Sequence, residues 1–492
     1  MRLLIAGGGG FRVPLIYRAL TSGRFAGLAS ELVLFDVDPA RLAAIRAVLD
    51  SMPVPEPRLR IRTTTSLREG LAGADMVFAA IRPGGTAGRV ADESVARGLG
   101  LLGQETTGAG GISYALRTIP HMLDLARQMT EICPAAWLIN FTNPAGMVTE
   151  ALVPVLGRRV IGICDSAGGL VHRAARAAGV KLPPGALDGV GYYGLNHLGW
   201  LYRLESGGLD VLPRLLADPA ALQSFEEGRL FPQPFLADLG ALPNEYLYYY
   251  YRLDAALESM DAMPQTRGES IHGQQTDLYP RLAAAGPDAY RLWEEARRSR
   301  EEGYLAEARR DGERRNEEDL AGGGYERVAL AAMAALSGRG EGGHGGAGAG
   351  GAQLILNTRN VLEPADPATA DPATANQATA LPAIPGLPAD AVVELPCTVT
   401  PDGAAPIPQA APPEEQLKLL RAVKDVERLT VRAVTEGNRE TAFEAFARHP
   451  LVGSTDLAAR LLAGYEAAFP ELARLWGGSG DGWGRRPEAG GE

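Results

Sequence analysis

The chain has 492 residues, which is long enough for two domains that bury a sizeable core. The formal charge of -11, with 48 basic against 59 acidic residues, excludes a general nucleic-acid or membrane-surface partner. Three cysteines without CxxC spacing exclude a disulfide framework and a structural zinc site, so we expect a reducing, cytoplasmic setting. The opening apolar run is too short for a signal peptide or a membrane span, and we expect neither.

Short apolar runs alternate with helical patterns in the first half of the chain. This alternation predicts an α/β fold with a parallel sheet covered on both faces. Four of the runs, at residues 3–6, 76–81, 137–139 and 160–163, are each followed by a polar residue or a glycine. Ligands bind beside the carboxyl ends of the strands in an open doubly wound sheet, so we expect these ends to converge on one crevice. Any single end, taken alone, is equally consistent with an ordinary loop.

A glycine-rich turn follows the first apolar run and precedes an amphipathic stretch at residues 13–20. The turn consists of Gly7, Gly8, Gly9 and Gly10. Such a turn lets backbone amides and a helix amino terminus approach a pyrophosphate. Asp36 closes the next apolar run, where its carboxylate is placed to bind an adenosine ribose and favours NAD over its phosphorylated form. Arg12 stands where the GxGxxG pattern has its third glycine, so a tight turn without a nucleotide is the alternative.

Two arginines follow the apolar run at residues 76–81. Arg82 and Arg89 offer guanidinium groups near a strand end, and a guanidinium binds phosphate with two parallel hydrogen bonds. We assign Arg82 to the cofactor, and surface salt bridges are the competing interpretation. The polar segments 103–108 and 140–144 have the composition to bind a sugar or the nicotinamide ribose, or simply to form turns.

A thiol and an imidazole stand in the later part of this nucleotide-binding pattern. Cys164 follows the apolar run at residues 160–163, and His197 lies in the segment GLNHLGW. A soft sulfur ligand and a borderline nitrogen ligand could together hold one divalent transition metal beside the dinucleotide. A buried structural cysteine and a structural histidine are the alternatives. Tyr246 begins a tyrosine-rich run that is mostly expected in the core, although a phenol with a metal-lowered pKa could remove a proton.

The second half of the chain has longer helical patterns and two low-complexity segments. We expect a Rossmann NAD-binding domain at residues 1–190, a metal- and substrate-binding α/β domain at 191–476, and a disordered tail at 477–492. The segments at about 338–351 and 364–380 are too poor in apolar residues to pack, which predicts mobile loops.

The order of the motifs resembles glycoside hydrolase family 4, the NAD- and divalent-metal-dependent glycosidases, up to about residue 475. The matching strings are GGGGF with Pro14, LFDVD, IRPGG with Arg89, GLLGQETTGAGG, NFTNPAG, ICD, YYGLNHLGW, PNEYLYYY, NTRN, ELPC and AFARHPL. The resemblance implies a Rossmann-type doubly wound parallel sheet, followed by a mixed α/β substrate and oligomerisation domain. It also implies a homodimer or a homotetramer.

The resemblance implies a mechanism unlike that of the two-carboxylate glycosidases. In the family, NAD removes hydride from C3 of the glycone, which acidifies the C2 proton. A base takes that proton, the aglycone leaves from C1, water adds to the unsaturated intermediate, and hydride returns to C3. The metal acts as a Lewis acid on the C2 and C3 oxygens. By motif, Cys164 and His197 match the ligands of Mn2+, and Tyr246 matches the base.

The remaining matches concern the sugar. Arg89 matches the arginine that holds a 6-phosphate, Arg267 matches another substrate-side arginine, and Asn143 matches the contact to the glycone. We assign Asn196, beside the predicted histidine ligand, to the substrate as well. These matches imply a phosphorylated disaccharide or glucoside as the substrate.

Asp165 bears on which anomer the enzyme accepts. Family members that act on α-linked phosphoglucosides commonly carry Asp at this position, where it can protonate the leaving oxygen, and those that act on β-linked ones carry Asn. The segments GLNHLGW, RPGG and PNEYLYYY look more like the β enzymes, so we predict a 6-phospho-β-glucosidase. The alternatives are a 6-phospho-α-glucosidase, a hydrolase of unphosphorylated glycosides, an NAD-dependent hydroxy-acid dehydrogenase, and a non-catalytic sensor of sugar phosphate and NAD.

Overall fold

The structure is a computed structural model that describes residues 1–302, 324–339, 351–362 and 381–477. Most of the two low-complexity segments predicted at 338–351 and 364–380, and nearly all of the tail predicted at 477–492, lie outside these residues. Among the helices of the described ranges, none combines the length and the apolar composition that crossing a bilayer requires.

The described strands form one extended sheet. They are β1 (Arg2–Ala6), β2 (Glu31–Phe35), β3 (Arg60–Thr64), β4 (Met76–Ala79), β5 (Trp137–Asn140), β6 (Val160–Gly162), β7 (Val190–Leu195), β8 (Leu198–Ser206), β9 (Leu209–Asp210), β10 (Leu242–Pro243), β11 (Ala352–Arg359), β12 (Val392–Thr400) and β13 (Gly403–Pro406). Their order across the sheet is β10-β8-β7-β12-β11-β6-β5-β4-β1-β2-β3, with β13 beside β12 and β9 beside β8.

The helices cover both faces of this sheet. They are α1 (Val13–Thr21), α2 (Pro39–Ser51), α3 (Leu67–Leu71), α4 (Gly85–Arg97), α5 (Ala109–Ile132), α6 (Ala145–Leu156), α7 (Ser166–Ala177), α8 (Leu212–Leu216), α9 (Pro219–Gln223), α10 (Glu226–Leu230), α11 (Gln233–Leu239), α12 (Tyr248–Tyr251), α13 (Leu253–Ala262), α14 (Arg267–Ala284), α15 (Ala289–Glu302), α16 (Tyr325–Leu336), α17 (Glu414–Glu436), α18 (Arg439–Arg448), α19 (Thr455–Ala468) and α20 (Leu472–Trp476). Short 3-10 turns lie at Gly23–Phe25, Gly157–Arg159, Glu245–Leu247 and Gly286–Asp288.

The first six strands are parallel and lie in the order β3-β2-β1-β4-β5-β6. This is the strand order of a Rossmann dinucleotide-binding fold, in which the ligand crevice opens where the order reverses beside β1 and β4. The central strands are apolar and buried on both faces, as helices on both sides require. The predicted fold class, a Rossmann-type sheet followed by a mixed α/β part, is confirmed.

The sheet continues without a break into the second part of the chain. Strand β11 pairs antiparallel with β6, and β12, β7, β8 and β10 extend the sheet from there by antiparallel pairing. Consequently the hairpin of β7 and β8 lies on the same sheet as the loop that follows β6. The division into domains at residue 190 stays a prediction.

The C-terminal helices cover the helices that flank the crevice. Helix α17 packs on α5, and α19 packs on α4, around a core that includes Phe446, Leu461 and Tyr465. Helix α14 packs on both α2 and α4. Helix α4 is therefore held from two sides, which fixes the position of Arg89 in its second turn.

Helix α15 is anchored to the glycine-rich turn by Trp293. The indole is fully buried, and its Nε1–H donates to the carbonyl oxygen of Phe11 at 2.7 Å. The rings of Trp293 and Phe11 lie 6.0 Å apart. Ion pairs between Arg291 and Glu295, and between Arg297 and Glu301, support the helix along its length.

Replacing Trp293 with alanine is expected to lower the free energy of unfolding by about 3–5 kcal/mol, because a fully buried indole leaves a cavity and an unpaired carbonyl. Chemical denaturation measures this loss. Trp293→Phe keeps most of the packing and is expected to lose less. The control is Arg298→Ala on the same helix, whose side chain is 73% exposed. Equal losses in Trp293→Ala and Arg298→Ala would contradict the anchoring role.

Candidate active site

A cleft of about 1070 Å³ opens at the carboxyl ends of the parallel strands. Its walls come from the segments that follow β1, β2, β4 and β5, together with parts of α14, α15 and α16. The lining residues include Gly7, Gly10, Phe11, Arg12, Asp36, Arg82, Arg89, Phe141, Ile271, Arg300 and Tyr325. The cleft thus lies at the switch point of the strand order, where this fold binds dinucleotides.

The glycine-rich turn and Asp36 are joined at one end of the cleft. The backbone N–H of Gly9 donates to Asp36 Oδ2 at 3.0 Å, which orients the carboxylate beside the turn. Gly7 has φ of 94°, and a Cβ atom there would lie 2.4 Å from the carbonyl oxygen of Ala80. Only glycine allows the turn to approach the end of β4 this closely. Gly8 and Gly10 belong to the same turn.

Arg82 and Arg89 share one carboxylate, which the sequence did not single out. Glu105 accepts from Arg82 Nη1 at 2.5 Å and from Arg89 Nη1 at 2.7 Å. Burial alone would raise the pKa of Glu105, but the charges of Arg82 and Arg89 outweigh it and lower that pKa to about 2. Arg89 is buried and also donates from Nε to Glu93 at 2.7 Å. Neither arginine forms a solvated surface salt bridge.

A smaller cavity lies next to the cleft and shares Arg89 with it. Its lining also includes Glu105, Tyr246 and Arg267. Arg267 is the first residue of α14, whose start is held against α4 because the N–H of Gly268 donates to Glu93 at 2.8 Å. The structure therefore brings together the arginine predicted for the 6-phosphate, the other predicted substrate-side arginine and the predicted base.

The predicted metal ligands face each other. The Sγ of Cys164 lies 3.4 Å from Nε2 of His197, and both side chains are buried. The other ring nitrogen of His197, Nδ1, is hydrogen-bonded to Thr106 Oγ1 at 3.0 Å. This contact fixes the ring so that Nε2 faces the sulfur, as a hydrogen bond to the other ring nitrogen does in metal-bound histidines. No cluster of three or more His, Cys, Asp and Glu side chains suited to a metal occurs within the described ranges.

The protonation states of this pair are set by burial. Burial lowers the pKa of His197 to about 3, so its imidazole is neutral and free to act as a ligand at neutral pH. Burial, together with Glu394 and Asp165, raises the pKa of Cys164 well above its usual value. A cation bound there must therefore displace the thiol proton.

His197 lies in a tight turn between β7 and β8. Leu195 pairs with Leu198, so Asn196 and His197 form the turn itself. His197 has φ of 64°, a left-handed conformation that is uncommon outside glycine and is more accessible to histidine than to most residues. At the base of the turn, a Cβ atom on Gly194 would lie 2.4 Å from Cα of its partner Gly199. This close strand approach holds the histidine in place.

Tyr246 is stacked directly on His197. The two ring centroids lie 3.7 Å apart, and the ring planes differ by 7°. The tyrosine sits in a 3-10 turn at Glu245–Leu247, where its N–H donates to Asn244 Oδ1 at 3.1 Å. By contrast, Tyr251 accepts from Trp200 Nε1 at 3.1 Å and belongs to the packing around β8. Within the tyrosine run, Tyr246 is the ring that contacts the predicted metal pair.

The remaining predicted residues have more varied surroundings. Asn196 donates to Glu394 at 3.4 Å and lines a separate small cavity with His197. Asn143 is half-buried in the segment after β5. Asp165 lies before α7, with Oδ2 3.9 Å from Arg12 Nη1. Arg12, the departure from the glycine pattern, therefore lies beside Asp165 at the edge of the cleft that Arg12 lines.

Glu394 is a second carboxylate that the sequence did not assign. It lies in β12 within the ELPC segment and is fully buried, and it accepts from Tyr192 Oη at 3.0 Å and from Asn357 Nδ2 at 3.1 Å. Burial raises the pKa of Glu394 to about 7. The hydrogen bond from Asn196 to Glu394 connects strand β12 to the turn that carries His197. The ELPC motif was visible in the sequence, but its role required the sheet pairing.

Replacing Glu105 with glutamine is expected to lower the free energy of unfolding by about 3 kcal/mol, because Arg82 and Arg89 lose a buried counter-charge. Chemical denaturation at neutral pH checks this. Glu131→Gln is the matched control, since Glu131 pairs with Arg68 at 3.5 Å while both side chains are more than half exposed. The control is expected to change stability by less than about 0.5 kcal/mol. Similar losses in both variants would rule out the central role of Glu105.

Comparison with known proteins shows which protein family the chain matches. The model of family 4 glycosyl hydrolases matches residues 3–180, and the model of the C-terminal domain of that family matches residues 192–452. A probable 6-phospho-beta-glucosidase of Bacillus subtilis is 29% identical over 416 residues, covering 82% of this chain and 80% of the relative. A 6-phospho-alpha-glucosidase of Leptotrichia buccalis is 25% identical over 481 residues, covering 94% and 96%.

A solved structure has the same fold. The 6-phospho-beta glucosidase of Thermotoga maritima, determined with manganese, NAD+ and glucose-6-phosphate, matches with a TM-score of 0.74 at 24% identity. The match covers 96% of this chain and 99% of that one. The family models span both parts of the chain in the order that its motifs implied, and the chain belongs to glycosyl hydrolase family 4.

Proposed function

We propose that this protein hydrolyses 6-phospho-β-glucosides with the help of NAD and a divalent metal ion such as Mn2+. The observation that carries the proposal is the stacking of Tyr246 on His197, which itself faces Cys164, beside a cleft of dinucleotide-binding type. The named activities of the Bacillus and Leptotrichia relatives, and the ligands of the Thermotoga enzyme, support a phosphorylated glucoside as substrate.

The residues of the cleft fit NAD. The glycine-rich turn leads directly into α1, and the amino terminus of a helix suits a diphosphate. The carboxylate of Asp36, held by the N–H of Gly9, suits the adenosine ribose and would repel a 2′-phosphate. Arg82 lines the same cleft and supplies a cation for the cofactor.

Cys164 and His197 fit a divalent transition metal. They supply one sulfur and one nitrogen, and the remaining coordination positions are left for substrate oxygens and water. When bound, NAD supplies a hydride acceptor for C3 of the sugar, and the metal ion supplies Lewis-acid stabilisation for charge on the C2 and C3 oxygens. His197 holds its position through Thr106, and Cys164 gives up its proton to become a ligand.

Tyr246 is the base that accepts the proton from C2. Its ring is fixed against His197, and the residue lines the same cavity as Arg89 and Arg267. A positioned base within hydrogen-bond reach is what general base catalysis requires. Asn143 and Asn196 are assigned to the glycone, and the contact of Asn196 with Glu394 orients its amide.

Arg89 and Arg267 are assigned to the 6-phosphate. Both line the cavity beside Tyr246, and guanidinium groups form paired hydrogen bonds with phosphate oxygens. Glu93 and Glu105 stand in the same cavity and already offset part of the positive charge. A phosphate dianion therefore needs further cations nearby.

The β assignment rests on the segments GLNHLGW, RPGG and PNEYLYYY, which look more like the β enzymes of the family. Asp165 matches the residue that α-specific members commonly carry at this position, and its Oδ2 lies 3.9 Å from Arg12 Nη1, beyond hydrogen-bond distance. A 6-phospho-α-glucosidase is the second candidate, because Asp165 is retained and an α-specific relative matches along nearly the whole chain.

Family membership favours a glycosidase over a hydroxy-acid dehydrogenase or a non-catalytic sensor. A sensor has no use for a base beside a metal pair, and a dehydrogenase would release NADH with each turnover. Location in the cytoplasm and assembly as a homodimer or homotetramer are further parts of the proposal.

The anomer assignment is tested with three nitrophenyl substrates in the presence of NAD, Mn2+ and a reductant. We expect turnover of the β-glucoside 6-phosphate, and none of the α-glucoside 6-phosphate or the unphosphorylated β-glucoside. NADH should not accumulate, since hydride returns to the sugar. Turnover confined to the α-phosphate would make Asp165 the general acid and overturn the β assignment. NADH formed in proportion to substrate would indicate a dehydrogenase.

Tyr246→Phe is expected to lower kcat about 100-fold or more, because a positioned base contributes on that order to proton transfer. The affinities for NAD and Mn2+ should stay within about twofold of wild type, since the phenyl ring still stacks on His197. Turnover in deuterated water measures deuterium incorporation at C2. Tyr251→Phe is the control from the same tyrosine run and should retain activity. Incorporation at C2 at the wild-type rate in Tyr246→Phe would show that another group is the base.

A further inference from the structure

Arg300 presents a half-buried guanidinium to the dinucleotide cleft. It lies in the last turn of α15 and lines the cleft, with Cζ 5.0 Å from the centroid of the Phe11 ring. Its Nε and Nη1 atoms are buried and have no hydrogen-bond partner among the described residues. Buried donors without partners are rare in folded proteins, because the loss of their hydrogen bonds to water is not compensated by a hydrogen bond in the protein.

The surroundings of Arg300 are strongly cationic. Burial and then the charges of four neighbouring arginines lower the pKa of Arg300 well below its usual value. The four are Arg12, Arg267, Arg89 and Arg82. Arg12, Arg82, Arg89 and Arg300 line the cleft, and Arg267 lines the adjoining cavity, although the formal charge of the chain is -11.

Three carboxylates beside these arginines are already engaged. Glu105 binds both Arg82 and Arg89, Glu93 binds Arg89, and Asp165 faces Arg12. Among the described residues, no carboxylate forms an ion pair with the guanidinium of Arg300. An anion that enters the cleft would supply the missing counter-charge and accept from the unpartnered N–H groups.

The position of Arg300 is fixed by the anchoring of its helix. Two turns earlier on α15, Trp293 donates to the carbonyl of Phe11, the residue directly after the glycine-rich turn. The charge of Arg300 also acts on Tyr279, which donates to the carbonyl of Gly9. The guanidinium therefore lies between the glycine-rich turn and the substrate-side arginines.

We propose that Arg300 is an anion-binding residue that contacts a phosphate group of a ligand in the cleft. The identity of that ligand rests on the proposed function, which brings two phosphate sources to this place, the diphosphate of NAD and the 6-phosphate of the sugar. Both present the same tetrahedral oxyanion to the guanidinium. Arg300 therefore acts in ligand binding, and Tyr246 carries out the proton transfer.

The test measures binding, so it does not depend on turnover. NAD and glucose 6-phosphate are titrated separately into wild type, Arg300→Gln, Arg300→Lys and Arg298→Gln, with Mn2+ present, and heats of binding give the Kd values. Arg298 is the matched control, because it lies on the same helix with an exposed side chain. We expect Arg300→Gln to raise one Kd by ten- to a hundredfold, as the loss of a charge-assisted contact predicts. Arg300→Lys should restore part of the affinity.

The two probes distinguish the sources. A raised Kd for NAD alone assigns Arg300 to the cofactor diphosphate, and a raised Kd for glucose 6-phosphate alone assigns it to the sugar. The ligand-free Arg300→Gln protein should melt at the same temperature as wild type or higher, because an unpaired buried charge is removed.

Three results would overturn the inference. They are Kd values within twofold of wild type for both probes, loss of binding together with a lower melting temperature in Arg300→Gln, and absence of binding of either probe to wild type. If wild type binds both ligands without hydrolysing any glucoside, the proposed function fails while the role of Arg300 stands.

Discussion

The carboxylate of Glu105 connects the two cavities of the site. It binds Arg82, which lines the dinucleotide cleft, and Arg89, which lines both the cleft and the substrate cavity. The next residue, Thr106, holds the ring of His197. One short segment before α5 thus orients the cations proposed for phosphate and the nitrogen proposed for the metal. Because both arginines are paired internally, their positions are set before any ligand binds, which lowers the cost of ordering them on binding.

The approach of the two proposed metal ligands depends on how the sheet is extended. Cys164 follows β6, the last parallel strand, whereas His197 comes from the turn between two antiparallel strands. Strands β11 and β12 lie between them and complete the sheet, and Glu394 in β12 binds Asn196 in the histidine turn. The Rossmann part contributes the cofactor cleft, and the antiparallel extension supplies the histidine that faces Cys164. Neither part alone contains the complete site.

Charge is distributed unevenly over this protein. The chain as a whole is acidic, yet five arginines lie around the cleft and the adjoining cavity, and three carboxylates near them are already engaged in ion pairs. An acidic surface discourages non-specific binding of polyanions, while the local cations create a site for small anions. Two buried nitrogens of Arg300 have no hydrogen-bond partner among the described residues, so under the proposal this cation is kept for a ligand at some cost in stability. Sites that bind charged ligands commonly trade stability for affinity in this way.

The sequence by itself determined the features that depend on local backbone geometry. Apolar runs and helical periodicity predicted the parallel sheet, and the glycine-rich turn with Asp36 predicted the dinucleotide cleft, because such motifs have the same shape wherever they occur. The order of the motifs also identified the family. The tertiary structure decided the contacts between distant residues: Glu105 with two arginines, Tyr246 on His197, Asn196 with Glu394, and the approach of Arg300 to Phe11. These contacts join residues that are far apart in the chain, so only the packing of helices and the pairing of strands could fix them.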